Sequence, residues 1–245
     1  MGELVQLLPW DSDFFGIPIG RVLAWRLDNQ IVETLLEEAH ANHLRCLYFE
    51  ASPNDLTTVV TAEQHGFHLV DVRVVLEHPF YDRPVPTPTF PLSPELTINS
   101  PHEMELDRLQ AISMQIGYTS RFNFDEHFTP GDCERLYRLW IKNACKGFAD
   151  LVLVARWSPE GEAVGLITCT LRDGLGQIQL AGVHTDHRKR GVGTGLVQAA
   201  LQWSKEKGAC GMNVVTQARN VAAQRLYQQM GFFTKSMTLY YHKWL

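Results

Sequence analysis

The run Val183-His184-Thr185-Asp186-His187-Arg188-Lys189-Arg190-Gly191-Val192-Gly193-Thr194-Gly195-Leu196 holds the residue types and spacing best suited to chemistry in this chain of 245 residues. It reads as a strand that runs into a basic, glycine-rich turn opening a helix. Glycine lets the backbone approach a ligand closely, and the first turn of a helix presents unbonded N–H groups at the positive end of its dipole. Arg188, Lys189 and Arg190 add charge at the same place. This combination suits a phosphate or pyrophosphate. A P-loop requires Gly-Lys-Ser/Thr at its end, where the chain has Gly193-Thr194-Gly195-Leu196. A dinucleotide fingerprint requires a third glycine where Leu196 stands, and an acid about 20 residues further on, where the chain reads Gly208-Ala209-Cys210-Gly211. What remains is a cradle for the pyrophosphate of coenzyme A.

The elements around this loop follow from hydrophobic periodicity. Upstream, Leu151–Trp157, Ala163–Leu171 and Gly176–Val183 read as strands joined by hairpin turns at Ser158-Pro159-Glu160-Gly161 and Asp173-Gly174. Downstream, a helix runs to about Lys207 with Leu196, Ala199, Ala200 and Trp203 on one face. Met212–Thr216 then reads as a strand, Asn220–Met230 as a helix and Phe233–Trp244 as a closing strand. Two further helices are expected at Glu103–Gln115 and Gly131–Lys146, the second with Cys133, Leu136, Tyr137, Trp140, Ile141 and Ala144 at helical spacing.

The N-terminal part alternates strands (Ile19–Arg26, Arg45–Glu50, His68–Glu77) with helices (Gln30–His43, Asn54–His65). Seven of the twelve prolines lie between Pro79 and Pro101, which stiffens the chain and marks a linker. The expected organisation is therefore an α/β domain over 1–78, a linker over 79–101 and a second domain over 102–245. Gln64-His65-Gly66-Phe67 and Gln229-Met230-Gly231-Phe232 both end a helix and lead into a strand. That echo reads either as chance or as a degenerate copy of the last helix–strand unit.

Composition narrows the function classes. With 45% hydrophobic and 20% charged residues the chain packs as a globular protein, which excludes disordered, collagen-like and coiled-coil readings. The 22 Lys and Arg against 27 Asp and Glu leave a net charge of −5, so a general nucleic-acid or anionic-membrane binder is not expected. Five scattered cysteines with no C-x-x-C argue against a disulfide framework or a cysteine zinc site. His184 with His187, and His65 with His68, lack the H-E-x-x-H spacing, so no metal is expected, and no G-x-S-x-G supports a hydrolase. No apolar run is long enough for a transmembrane helix, and the start MGELVQLLPWDSD lacks signal-peptide features, which makes a cytoplasmic location the expectation.

Arg188-x-x-Gly191-x-Gly193 at a strand-to-helix junction, followed by Asn220, Leu226-Tyr227 and Gly231-Phe232, resembles the acyl-CoA signature of the GCN5-related N-acetyltransferase (GNAT) superfamily. Thr185 departs from the proline common there, which affects the turn rather than ligand groups. Further stretches resemble the TDP-fucosamine acetyltransferase group: Trp10-x-x-x-Phe14-Phe15-Gly16, Gly66-Phe67-x-Leu69-Val70-Asp71, Ser120-Arg121-Phe122, Trp140-Ile141-x-Asn143-Ala144 and Thr216-Gln217. The resemblance implies a GNAT fold, α/β (α+β), with a mixed central sheet flanked by helices and an N-terminal partial GNAT-like domain. It also implies acetyl-CoA as co-substrate, a nucleotide-linked amino sugar as acceptor, and a homodimer.

In that resemblance the strand ending at Val183 splays from its neighbour. Ala181, Gly182 and Val183 then offer backbone N–H groups to the thioester oxygen, each contributing about 3 kcal/mol in acyl-transfer sites of this type. Arg188, Lys189, Arg190, Gly191, Val192, Gly193, Thr194 and Gly195 hold the pyrophosphate, and Asn220 bonds the pantetheine arm. Tyr227, two helical turns after Asn220, protonates the leaving sulfur, a role open to a phenol that is neutral at physiological pH. Taken outside the motif, Tyr227 reads as a packing residue beside Ala223 and Met230. Asp71 matches an acidic position that draws the amine proton through a water, or else simply faces solvent on its strand. The stretch Gly117-Tyr118-Thr119-Ser120-Arg121-Phe122-Asn123-Phe124 mixes aromatics with an arginine. Tyr118 and Arg121 are its candidates for a sugar nucleotide, against a plain helix–helix connection. Other acceptors (a small amine, an aminoglycoside, a protein amine) and a non-catalytic acyl-CoA-binding domain remain as alternatives.

Overall fold

The computed structural model describes residues 3–86 and 93–245. In chain order its regular elements are β1 (Val5–Leu7), α1 (Pro9–Phe15), β2 (Ile19–Val22), α2 (Asn29–Ala41), β3 (Cys46–Ala51), α3 (Leu56–Gln64) and β4 (His68–Pro79). They continue as β5 (Thr97–Asn99), α4 (Leu106–Ile116), α5 (Pro130–Asn143), β6 (Leu151–Arg156), β7 (Gly165–Arg172), β8 (Leu175–Val183), α6 (Val192–Glu206), β9 (Gly211–Gln217), α7 (Val221–Gln229) and β10 (Phe233–Trp244). The fold is the mixed α/β type expected.

The chain forms two compact units. One comprises the residues up to Arg73 together with Met237–Leu245, the other Val74–Ser236. Both β4 and β10 run from one unit into the other, so this boundary falls within strands and not in the proline-rich stretch. Of that stretch, residues 87–92 lie outside the described residues, and β5 occupies part of its second half.

In the first unit, β1 pairs antiparallel with β2, β2 runs parallel to β3, and β10 pairs antiparallel with β3 from Leu239↔Ala51 to Trp244↔Cys46. Its core gathers Val32, Leu35 and Ala39 from one face of α2 with Leu47, Phe49, Phe67 and Tyr241. Asp28 starts α2 and Asp55 starts α3, each side chain accepting from a first-turn amide.

In the second unit, β5, β6, β7 and β8 form an antiparallel ladder, with a bulge between Thr168 and Cys169, and β8 runs parallel to β9. Helix α6 buries Leu196, Val197, Ala200, Leu201 and Ser204 against this sheet. Two glycines allow helices to lie close on it. A methyl group at Gly165 would stand 2.9 Å from Val192 Cγ1, and one at Gly182 2.4 Å from Ile116 Cγ1. Gly165 pairs with Val183 and Leu166 with Gly182. Neighbouring positions on a strand point to opposite faces, so α6 and α4 cover opposite faces.

The echo in the sequence has a structural counterpart. Helices α3 and α7 are both nine residues long, and β4 and β10 both twelve. Gly66 and Gly231 adopt φ of 71° and 78°. Phe67 N–H donates to Ala62 O at 2.9 Å and Phe232 N–H to Tyr227 O at 3.0 Å, the same left-handed helix stop in both places.

Candidate active site

All the expected coenzyme-binding residues lie in the second unit. Strand β8 follows β7 to Val183, yet its ladder with β9 runs only from Leu175↔Gly211 to Ile178↔Val214. Beyond Ile178 the two strands part. His184 N–H donates to Val164 O and Leu180 N–H to Thr168 Oγ1, both on the β7 side. Alternation then puts Gly182 N–H on that side as well, while Ala181 and Val183 direct their N–H groups to the parted side. Of the three residues expected as backbone donors, Ala181 and Val183 thus face the parted side and Gly182 faces β7. Gly182 is required for another reason, the passage of Ile116 over it.

The loop after β8 is held at several points. Thr185 N–H donates to Gln115 Oε1 at 3.0 Å, and Arg188 Nε donates to Val183 O at 3.1 Å. Lys189 has φ of 58° and Gly191 of 82°, left-handed positions that turn the chain into α6. No side chain caps α6, in contrast to the carboxylate on α2. The first intrahelical bond is Gly195 N–H to Gly191 O at 2.9 Å, so the amides of Val192, Gly193 and Thr194 point out of the helix end. Gly193 sits under Leu226 of α7, where a methyl group would be 3.1 Å from its Cδ2. These uncapped amides beside exposed Lys189 and Arg190 fit an anionic pyrophosphate.

Asn220 starts α7, its Oδ1 accepting from Ala223 N–H at 3.2 Å and its Nδ2 donating to Thr119 Oγ1 at 3.5 Å. Thr119 in turn donates to Gln217 Oε1 at 3.1 Å, so the loop carrying Tyr118 and Arg121 is tied to the β9–α7 turn. Tyr118 is 77% exposed. Arg121 lays its guanidinium 4.3 Å from the Phe122 ring centroid. Sequence reasoning missed Arg219, whose guanidinium stacks 3.6 Å from the Phe124 centroid. It also missed Gln115 and the contact made by Gln217, since no local pattern announces a contact between residues so far apart in the chain.

Tyr227 is 5% exposed, within the core that includes Cys169, Met230 and Phe232, and its ring lies 5.6 Å from that of Phe232. Burial first, then the neighbouring Cys169, push its pKa well above that of a free phenol, so the hydroxyl stays protonated. Burial pushes the Cys169 thiol up to about 12, which keeps it neutral as well. Asp71 belongs to the first unit, 7% exposed, with its carboxylate accepting from Val72 N–H at 2.9 Å. Among the described residues no group of three or more His, Cys, Asp or Glu is placed to hold a metal ion, and no helix is long and apolar enough to cross a membrane.

Comparison with known proteins agrees with this geometry. Residues 118–232 match the acetyltransferase (GNAT) family, which uses acetyl-CoA. That segment, just under half of the chain, is thus similar to the GNAT acetyltransferases. The dTDP-fucosamine acetyltransferase of Escherichia coli is 25% identical over 98% of this chain and 97% of its own length. The spore coat polysaccharide biosynthesis protein SpsD of Bacillus subtilis is 24% identical over 71% of this chain, a match spanning 56% of SpsD. Among solved structures, a GCN5-related N-acetyltransferase from Sphaerobacter thermophilus superposes with a TM-score of 0.65 at 17% identity, covering 98% of this chain and 76% of that one.

Proposed function

We propose that the protein moves an acetyl group from acetyl-CoA to the amino group of a nucleotide-linked amino sugar, by direct attack in a ternary complex. The observation that carries the donor half is the uncapped N-terminus of α6, beside the place where β8 parts from β9. The acceptor half rests on the end-to-end similarity to dTDP-fucosamine acetyltransferase. The matched helix–strand units support reading the N-terminal part as a partial GNAT-like copy.

The thioester supplies an activated acetyl carbon and a thiolate leaving group. The Val192, Gly193 and Thr194 amides, with Lys189 and Arg190, bind the pyrophosphate and fix the register of the donor. The Ala181 and Val183 N–H groups stabilise negative charge on the acetyl oxygen as the amine attacks. Tyr227 gives its hydroxyl proton to the departing sulfur. Asp71 draws the proton that the amine must lose, through a water. Tyr118 and Arg121, on the loop tied to Gln217 and Asn220, contact the sugar nucleotide.

The acceptor is tested by acetyl-CoA-dependent release of free thiol over a panel. The panel holds dTDP- and UDP-linked 4-amino sugars, aminoglycosides, polyamines and short peptides. Turnover confined to the nucleotide sugars is the expected result. Turnover only on another amine would retain the chemistry and discard the sugar.

A further inference from the structure

We propose that Trp157 is a positioning residue for the phosphates of the coenzyme, acting through His187 and Arg190 on the loop that opens α6. The inference rests on the acetyl-CoA reading above. Trp157 directly follows β6 and packs partly buried against the core of the second unit. Its indole Nε1–H donates to His187 Nδ1 at 2.9 Å, and the Arg190 guanidinium lies 4.1 Å from its ring centroid. One indole thus holds two residues of the loop, the first on its edge and the second on its face. The preceding residue is itself fixed. Arg156, with a side chain 0% exposed, pairs with Glu105 and donates to Ser100 O at 3.3 Å.

Each contact has a chemical consequence. To accept from the indole, His187 must be neutral with its proton on Nε2. Burial first, then Arg190 and His184, hold its pKa below the ordinary histidine value, with Arg108 acting in the same direction and Asp186 opposing. Arg108 acts from α4, where it donates to Ala163 O at 3.0 Å and pairs with Glu162 at 3.6 Å. His187 therefore remains an acceptor at neutral pH. A guanidinium held over an indole face by cation–π attraction can still offer N–H groups to a phosphate. It has also given up part of its rotamer freedom before the ligand arrives. Arg190 is such a guanidinium, two residues before the first uncapped amide of α6, and none of the carboxylates among the described residues pairs with it.

The test is calorimetric titration of the full chain with coenzyme A and, separately, with dephospho-coenzyme A. It compares the parent with Trp157→Leu, Trp157→Phe and Arg190→Gln. Trp157→Leu is expected to weaken coenzyme A about tenfold. Its KM for acetyl-CoA should rise in step while kcat at saturation stays within about twofold. Phenylalanine keeps the ring face and loses the N–H, so Trp157→Phe should fall between parent and leucine variant. Arg190→Gln should weaken binding as Trp157→Leu does. Equal losses for the two ligands would assign the clamp to the pyrophosphate, and a loss confined to coenzyme A would assign it to the ribose 3′-phosphate. If Trp157→Leu does not fold, the exposed Arg190 and the phenylalanine variant carry the same comparison. Unchanged affinity in the folded variants would overturn the inference while leaving the acetyl-CoA reading intact. Absence of coenzyme binding by the parent chain would overturn both.

Discussion

Ile116 lies directly over Gly182, so close that a methyl group on the glycine would stand 2.4 Å from its Cγ1 and 2.6 Å from its Cδ1. This contact sets the height of α4 above the parted end of β8, between Ala181 and Val183, the two residues proposed to direct N–H groups at the thioester oxygen. Gly182→Ala must turn the Ile116 side chain aside, push α4 outward or bend β8. The expected cost is about 1–3 kcal/mol, the usual range for overpacking a filled site. Chemical denaturation should show that loss, and the remaining folded enzyme should have a lower kcat. A variant as stable and active as the parent would mean that α4 yields without disturbing the strand.

A second prediction concerns the ion pair of Arg156, the residue before Trp157, with Glu105. Burial alone would raise the Glu105 pKa, but the Arg156 guanidinium and the His102 amide outweigh it and hold the carboxylate below its ordinary value. A depressed carboxylate stabilises the fold above the unfolded-state pKa and loses that stabilisation as pH falls through the folded-state value. Stability should therefore drop on acidification through the carboxylate range. Glu105→Gln should flatten that drop and cost about 3 kcal/mol at neutral pH, because it leaves a buried guanidinium without its charge partner. Urea unfolding measured across the acid range checks both statements.

Much of the second unit was legible because its elements carry strong periodicity. The closing strand was read as Phe233–Trp244, as found, and the loop glycines occur where left-handed backbone or close approach requires them. Elements without a buried face were missed. Strand β1 buries only Val5, and α1 buries nothing, so neither shows a pattern. The helix expected over Gly131–Lys146 ends at Asn143 and continues as a single wide turn, Ala144–Phe148, where Gly147 takes φ of 97°. The strand expected to reach Arg26 stops at Val22, and Trp25 is 82% exposed. The facing of β10 could not be read because Tyr240, Tyr241 and His242 are all buried, which removes the alternation. The Trp157–His187 contact was illegible for another reason: only the fold brings its partners together.

Asp71 gives a pH-dependent prediction. A base is needed only while the amine arrives protonated, so the deficit of Asp71→Asn should shrink as pH rises from about 6.5 to 9. Steady-state rates at saturating acetyl-CoA over that range check it. A deficit that stays constant would remove Asp71 from proton transfer and leave it a structural role through its bond to Val72.

The most direct test of the account is thiol release from acetyl-CoA, with a dTDP-linked 4-amino sugar as acceptor, by the parent and by Tyr227→Phe. Burial keeps Tyr227 protonated beyond the ordinary phenol range, so the parent should show no alkaline loss from this group below about pH 10. Removing the hydroxyl should lower kcat by about a hundredfold, within the range for a lost general acid, with the KM for acetyl-CoA little changed. Equal turnover by the phenylalanine variant, or acetyl-CoA binding without acetyl transfer to this or any other amine, would contradict it.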